Sequence, residues 1–299
     1  YLFTQVEQQW YSPAEKRFLP DRYVEGTCYI CGYDKARGDQ CDKCGNLLDA
    51  TQLINPRART SGGALELRET EHFYLDLAKA APALSQWLAA GKDHWRPQVL
   101  NPSRAQVESG ELRGRAITRD LDWGIPVPVP GWDGKCLYVW FEAVIGYFSA
   151  SVEWSKNNGR PEAWKDWWYD PAAKTVYFIG KDNIPFHAII WPAELLGLER
   201  LYEADPAKRL NLPYDVPANE FLNLEGQKIS GSRNWAVWGL DFLSRYDPDP
   251  LRYYLTAILP ESKDADWDWA DFLQHNNNEL VATWGNLANR VLTFAHKHW

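Results

Sequence analysis

Four cysteines in one short run constrain this chain more than any other feature: Cys28-Tyr-Ile-Cys31, nine residues, then Cys41-Asp-Lys-Cys44. Two cysteines three apart can grip one metal ion from a single tight turn. Two such turns supply four thiolates at the corners of a tetrahedron, the arrangement structural zinc takes. Gly32, Gly38 and Gly45 follow or lie between the pairs, where a knuckle backbone needs room to turn. The competing reading is two disulfides in a secreted protein. The chain shows no dense cysteine framework and no apolar secretory segment, which disfavours it. The fifth cysteine, Cys136, lies in the apolar run Cys136-Leu-Tyr-Val-Trp140 and reads as a small core residue rather than a nucleophile. A zinc knuckle marks a folded module and carries no reaction of its own, so chemistry must come from elsewhere in the chain.

The length of 299 residues suits about two domains, and 45% hydrophobic residues suffices for real cores. No stretch approaches the roughly 18 apolar residues of a membrane span, so no membrane association is expected. A net charge of −8 argues against nucleic-acid binding over the whole surface but allows local basic patches. Cysteine usage suits a reducing, cytoplasmic compartment. Methionine is absent and tryptophan reaches 17. The chain opens at Tyr1-Leu-Phe without a start signal and ends at Trp299 inside a helical pattern, so it reads as an internal fragment of a longer protein.

Residues 1–60 read as turn-rich and carry the knuckle. Gly63-Ala-Leu-Glu-Leu-Arg68 alternates like a strand. Pro82-Ala-Leu-Ser-Gln-Trp-Leu-Ala-Ala90 reads as a helix with Pro82 near its first turn and Gly91 after its end. From about residue 116 the texture becomes α/β. Lys135-Cys-Leu-Tyr-Val-Trp140 reads as a buried strand running into a helix over 142–148. Thr175-Val-Tyr-Phe-Ile-Gly180 reads as a second buried strand running into a helix from Ile184 to Gly197. Buried strands alternating with helices predict a parallel, doubly wound sheet whose ligands sit at the carboxyl ends of its strands. That puts Trp140, Glu142, Gly180, Asp182 and Asn183 at the rim of a pocket. Residues 212–240 are loop-rich, Asp247-Pro-Asp-Pro starts a helix, and the chain reads as helical from Trp269 to its end. There is no internal repeat and no low-complexity tract.

Three constellations can carry chemistry, and each has a plainer reading. Gly180-Lys-Asp182 closes a strand where a glycine lets a ligand approach the backbone and an aspartate can take ribose hydroxyls or an ammonium group. His187, five residues on, can face the same cavity or sit as a satisfied core residue. Lys228-Ile-Ser-Gly-Ser232 offers a lysine, hydroxyls and amides to a polyphosphate, or is a surface loop. Trp140, Ala143, Val144 and Tyr147 make either a flat apolar wall with one hydroxyl or core packing.

In combination these residues resemble the methionyl-tRNA synthetase family of class I aminoacyl-tRNA synthetases. The order is Trp140-x-x-Ala143-x-x-x-Tyr147, then Phe178-Ile-Gly-Lys-Asp182-x-x-x-Phe186-His187, then Lys228-Ile-Ser-Gly-Ser232, then Asn286-Leu-Ala-Asn-Arg290. Phe18-Leu-Pro-Asp-Arg-Tyr-Val-Glu-Gly-Thr-Cys28, Glu71-His-Phe-Tyr-Leu-Asp76, Ile117-Thr-Arg-Asp120, Trp191-Pro-Ala193 and Leu251-Arg-Tyr-Tyr254 extend the likeness over essentially the whole chain.

The resemblance implies a class I Rossmann-type α/β fold. Residues 1–115 would be the connective peptide with its zinc knuckle, and 116–210 the second half of the catalytic domain. Residues 211–270 would be the stem-contact region with the signature loop, and 271–299 the start of a helical anticodon-binding domain. It implies that methionine is activated with ATP to methionyl-adenylate and passed to tRNA(Met). Trp140, Ala143, Val144, Tyr147 and His187 would line the methionine pocket, with the Tyr147 hydroxyl near the thioether. Gly180 and Asp182 would hold the ATP ribose, Lys228 and Ser230 would face the triphosphate, and Asn286 and Arg290 would read the anticodon. Cys28, Cys31, Cys41 and Cys44 would hold structural Zn2+, and Mg2+ would accompany ATP. The assembly would be a monomer or homodimer. The sequence departs from the family in four respects. The histidine motif of the first half-fold is absent, Gly231 stands at the second lysine of the signature loop, and Val144 and Asn183 replace a proline and an apolar residue. Alternatives are an impaired synthetase-like tRNA-binding module and a class I synthetase of another specificity.

Overall fold

The computed structural model describes every residue except 40, 42, 45, 47, 199–201, 204 and 206, together with the side chain of Ser232. Gly45 therefore lies outside the described residues, as does the side chain of Ser232. The chain divides into two units, one of residues 1–93, 100–175 and 185–214, the other of 94–99, 176–184 and 215–299.

The first unit is built on a long antiparallel pair, Leu2–Ser12 against Glu66–Leu75, in register from Leu2 opposite Leu75 to Tyr11 opposite Glu66. Arg17–Phe18 and Arg115–Ala116 add to its two edges. The 11-residue strand Leu2–Ser12 corrects the turn-rich reading of the first 60 residues. Only Ser12 at its end is buried and its partner strand lies more than 50 residues away, so neither a clean alternation nor a local turn marks it.

The segment between the two long strands folds into a small antiparallel sheet of Ala36–Arg37, Val24–Thr27 and Ile54–Ala58. Leu19, Val24, Ala36, Leu53 and Ala58 make its core together with Cys28 and Cys41. So little apolar material cannot hold a module of this size by burial alone.

The helix Leu77–Ala89 starts at Asp76, whose carboxylate accepts from the Lys79 amide at 3.2 Å. Leu77, Ala80, Leu84 and Leu88 recur at helical spacing and are buried, the face that meets the helix Trp191–Leu198. Pro82 is the sixth residue of this helix, not part of its first turn. The cap at Asp76 and the apolar stripe through Leu77 and Ala80 extend the helix ahead of the proline.

The run Lys135–Trp140 is not a buried parallel strand. Only Cys136–Leu137 is extended, and it pairs antiparallel with Thr118–Arg119. A helical turn takes over at Val139–Glu142, followed by a longer helix, Ile145–Asn157. Val139 and Trp140 are about half exposed, so the run lacks the two-sided burial that its composition suggested. A short apolar run does not by itself distinguish strand from helix.

In the second unit, Val176 bridges Asp215 and Ile179–Gly180 pairs with Ala218–Asn219, all parallel, as expected for 175–180. Burial is one-sided: Tyr177 is 7% exposed and Phe178 80%. A second group joins Leu222–Leu224 in parallel to Ala265–Trp267 and antiparallel to Gln227–Lys228. Its core is Leu224, Phe242, Tyr254, Trp267 and Phe272, packed edge to face and in stacks. Helices Pro248–Ala257, Trp269–Gln274 and Asn286–His298 follow, the last two joined by a wider π-type segment, His275–Gly285.

Candidate functional site

The four knuckle cysteines converge. Their sulfurs all lie within 4.8 Å of one another, with Cys28 and Cys41 buried and Cys31 and Cys44 more open. The Cys31 and Cys41 Sγ atoms are 3.6 Å apart. Four sulfurs around zinc at the usual bond length would stand about 3.8 Å apart. All five cysteines of the chain are free, so the disulfide alternative fails.

The turns that set this geometry are explicit. The Gly32 amide donates to the Cys28 carbonyl at 2.9 Å, with Gly32 at φ +72°. At Gly38 a Cβ would meet the Asp21 carbonyl oxygen at 2.5 Å, so only glycine lets the two loops close. The Asn46 amide and its side chain, whose Nδ2 donates to Cys44 Sγ at 3.3 Å, hold the Cys44 thiol down to about 6. The Tyr33 amide lowers Cys31, but burial and the neighbouring thiols outweigh it and push Cys31 up to about 12. Thiols packed this closely share too few donors for all to ionise without a cation.

A second constellation lies in the first unit. Tyr147, on Ile145–Asn157, places its hydroxyl 2.9 Å from Nε2 of His187, which is buried in the π-type turn Phe186–Ile190. Trp140 lies with its ring centroid 5.6 Å from that of Phe186. Leu75, Tyr138, Trp140, Phe186 and Ile190 help to line a small apolar cavity of about 10 Å³. The sequence assigns Tyr138, Phe186 and Ile190 no pocket role, although Phe186 stands in the family motif, because apolar residues at such places read equally as core. Trp140, Tyr147 and His187 thus bring an apolar wall and a polar pair together. Ala143 is exposed, whereas Val144 points inward and is buried.

In the second unit Gly180 closes its strand with ordinary backbone angles, yet a Cβ there would meet the Asp182 carboxylate at 2.9 Å. A Cβ would press only on the end of that exposed side chain, so glycine lets the carboxylate lie close to the backbone. Asp182 is exposed, and its Oδ1 accepts from Asn183 Nδ2 at 3.1 Å. Asn183 therefore braces the aspartate. Lys228 leaves a tight hairpin whose turn residues Glu225 and Gly226 both have positive φ. The Asp266 carboxylate fixes that turn by accepting from the Gly226 amide. Ser230 exchanges two backbone hydrogen bonds with Trp235, at 2.9 and 3.0 Å. At Gly231 a Cβ would stand 3.4 Å from the Trp238 ring, an ordinary contact, so the fold does not demand glycine there.

Lys181 was not marked by the sequence reading. Its Nζ donates to Glu220 Oε2 at 2.7 Å and to Asp264 Oδ1 at 2.6 Å, and lies 4.4 Å from the Phe221 ring centroid. Only tertiary structure brings these four residues together. Asn286 and Arg290 sit one helical turn apart on Asn286–His298, both exposed.

The family model for tRNA synthetases class I (M) matches residues 1–292. A methionine–tRNA ligase of Thermomicrobium roseum is 59% identical over 98% of this chain and 49% of its own length. One from Roseiflexus castenholzii is 55% identical over 100% of this chain and 50% of its own. The chain thus spans about half the length of these relatives. Among solved structures, Mycobacterium tuberculosis methionyl-tRNA synthetase bound by methionyl-adenylate superposes with TM-score 0.64 at 22% identity. It covers 99% of this chain and 50% of its own, and at that identity the likeness speaks to fold alone. By sequence and by fold, the chain belongs to the class I tRNA synthetases (M).

Proposed function

We propose that this chain supplies the methionine pocket, part of the ATP site and the start of the anticodon-binding bundle of a methionine–tRNA ligase. The observation that carries the reading is the Tyr147–His187 hydrogen bond, with Trp140 against Phe186, the residue next to His187. A thioether is apolar, polarizable and a weak acceptor, so it suits an aromatic wall with one tethered hydroxyl. With Nε2–H of His187 donating to it, the Tyr147 hydroxyl keeps its own proton to donate to the sulfur. One methylene is worth only about 1–3 kcal/mol, so rejection of homologous amino acids rests on the fit against Trp140 and Phe186.

The reaction has two balanced steps. The methionine carboxylate attacks the α-phosphorus of ATP, forming the acyl-phosphate bond as the α–β bond breaks and pyrophosphate leaves. A terminal ribose hydroxyl of the tRNA then attacks the acyl carbon, and AMP leaves. Asp182, set by Gly180 and Asn183, would take the ribose hydroxyls. Lys228 and the Ser230 region would meet the negative charge that builds on the departing phosphates. Mg2+ bound with ATP would neutralise part of that charge. No covalent intermediate on the protein is required, which leaves Cys136 to the core.

Residues 1–115 read as the connective peptide, with Cys28, Cys31, Cys41 and Cys44 holding a structural Zn2+ that ties its loops together. Residues 116–210 read as the second half of the catalytic Rossmann domain, 211–270 as the stem-contact region and 271–299 as the start of the anticodon bundle. Asn286 and Arg290, exposed one turn apart, suit hydrogen bonding to an unstacked base. Amino-acid-dependent ATP–pyrophosphate exchange by the full-length protein, run with each of the twenty amino acids, tests the reading. Exchange with methionine alone is expected. Exchange with another amino acid changes the specificity, and none at all from folded, metal-loaded protein leaves a tRNA-binding module.

A further inference from the structure

Lys181 and Lys228 sit on one aromatic ring but in different electrostatic states. The Lys181 Nζ lies 4.4 Å from the Phe221 centroid and the Lys228 Nζ 5.7 Å from it. Lys181 is held by two carboxylates: Glu220 at 2.7 Å, its side chain 16% exposed, and Asp264 at 2.6 Å. Asp264 is itself fixed to the ring's own residue, since its Oδ1 accepts from the Phe221 amide at 2.8 Å. These hydrogen bonds, Asp264 first and then Glu220, raise the Lys181 pKa and keep it charged. Lys228 is exposed and makes no ion pair among the described residues.

The cation nearest the Gly180–Asp182 turn is therefore already neutralised. It is a poor partner for an anionic ligand. Its carboxylates, however, border the ring on which Lys228 rests. A half-buried carboxylate left without a cation seeks one, and a lysine on a flexible four-carbon stem can answer.

We propose that Lys181 is a positioning residue that saturates Glu220 and Asp264, and so keeps the Lys228 ammonium unpaired and available to a polyphosphate. The inference rests on the ATP-dependent reading above. In this arrangement Lys181 touches no substrate. It decides whether Lys228 faces the ligand or folds back onto the ring's carboxylates, and misplacing one charge by a few ångströms suffices to impair phosphate transfer.

Methionine-dependent ATP–pyrophosphate exchange in the full-length protein tests this. Lys181→Gln should raise KM for ATP roughly tenfold and leave KM for methionine unchanged. Lys181→Arg should retain near-parental values. The decisive variant combines Lys181→Gln with Glu220→Gln and Asp264→Asn. With no carboxylate left to capture Lys228, its KM for ATP should return to within about threefold of the parent. A merely structural role for Lys181 predicts no such recovery. An unchanged KM in Lys181→Gln, or a triple variant as impaired as the single one, overturns the proposal. Should Lys181→Gln fail to fold, Glu220→Gln with Asp264→Asn in the parental background decides: an unchanged KM for ATP supports the proposal and a raised one refutes it. Equilibrium binding of inorganic tripolyphosphate to the same variants gives a readout independent of methionine activation. Parental protein that binds tripolyphosphate but shows no exchange would defeat the proposed function while leaving this inference open to the binding series.

Discussion

Single residues fix most of the chemistry. Tyr147 and His187 form a hydrogen-bonded pair whose loss is measurable: Tyr147→Phe removes this hydrogen bond to the imidazole, at about 1 kcal/mol. The expected result is a severalfold rise in KM for methionine with KM for ATP unmoved, read by exchange kinetics. Gly231 makes a different prediction. Since a Cβ fits there against Trp238, Gly231→Lys should fold normally and exchange at least as fast as the parent. A loss of thermal stability beyond about 1 kcal/mol would contradict the ordinary contact with Trp238 described at that position.

Glu194 supplies a pH signature. Its carboxylate is buried in Trp191–Leu198 without a hydrogen-bond partner among the described residues, and burial pushes it from 4.5 up to about 9. Between those values the folded chain carries a proton that the unfolded chain has lost. Stability therefore falls as pH rises across that window, by on the order of 1 kcal/mol per unit. Glu194→Leu should raise Tm at pH 8 and narrow the difference toward pH 5, checked by melting curves at both. Residue identity made the knuckle, the Trp140–Tyr147 wall and the Gly180–Asp182 turn legible in the sequence, because each is a local spacing. Lys181, Glu220, Phe221 and Asp264 were not legible, since more than 80 residues of chain separate Lys181 from Asp264.

At the level of elements, legibility followed periodicity. The helix Leu77–Ala89 and the late helices announce themselves by apolar spacing, and 175–180 by its apolar run before glycine. The strand Leu2–Ser12 does not, because much of it faces water and its register is set by a distant partner. The 135–140 run misleads because composition is silent on which side is covered. The four knuckle sulfurs pack into the core of the sub-sheet beside Leu19, Val24 and Leu53, where they could hold a metal ion. Cys28→Ser, or chelation, should release one zinc per chain and unfold this module first. Metal analysis together with protease sensitivity of residues 13–65 checks it, and an unchanged digestion pattern after metal loss would sink the structural role.

For the molecule as a whole, the residues proposed for the amino-acid pocket belong to one unit and those proposed for the nucleotide to the other. Kinetic effects should therefore separate by substrate. Trp140→Ala should raise KM for methionine at least tenfold while sparing ATP, and Lys228→Ala should do the reverse, both read from exchange at saturating co-substrate. The family was legible from motif order over the whole chain, whereas the pairing of most strands was not, since antiparallel pairs joined across long insertions leave no local signal. The most direct test of the account is charging of tRNA by the full-length protein, with each amino acid offered in turn. The account predicts that methionine alone is attached, and only to methionine tRNA. Attachment of a different amino acid, or none by folded protein supplied with zinc, would contradict it.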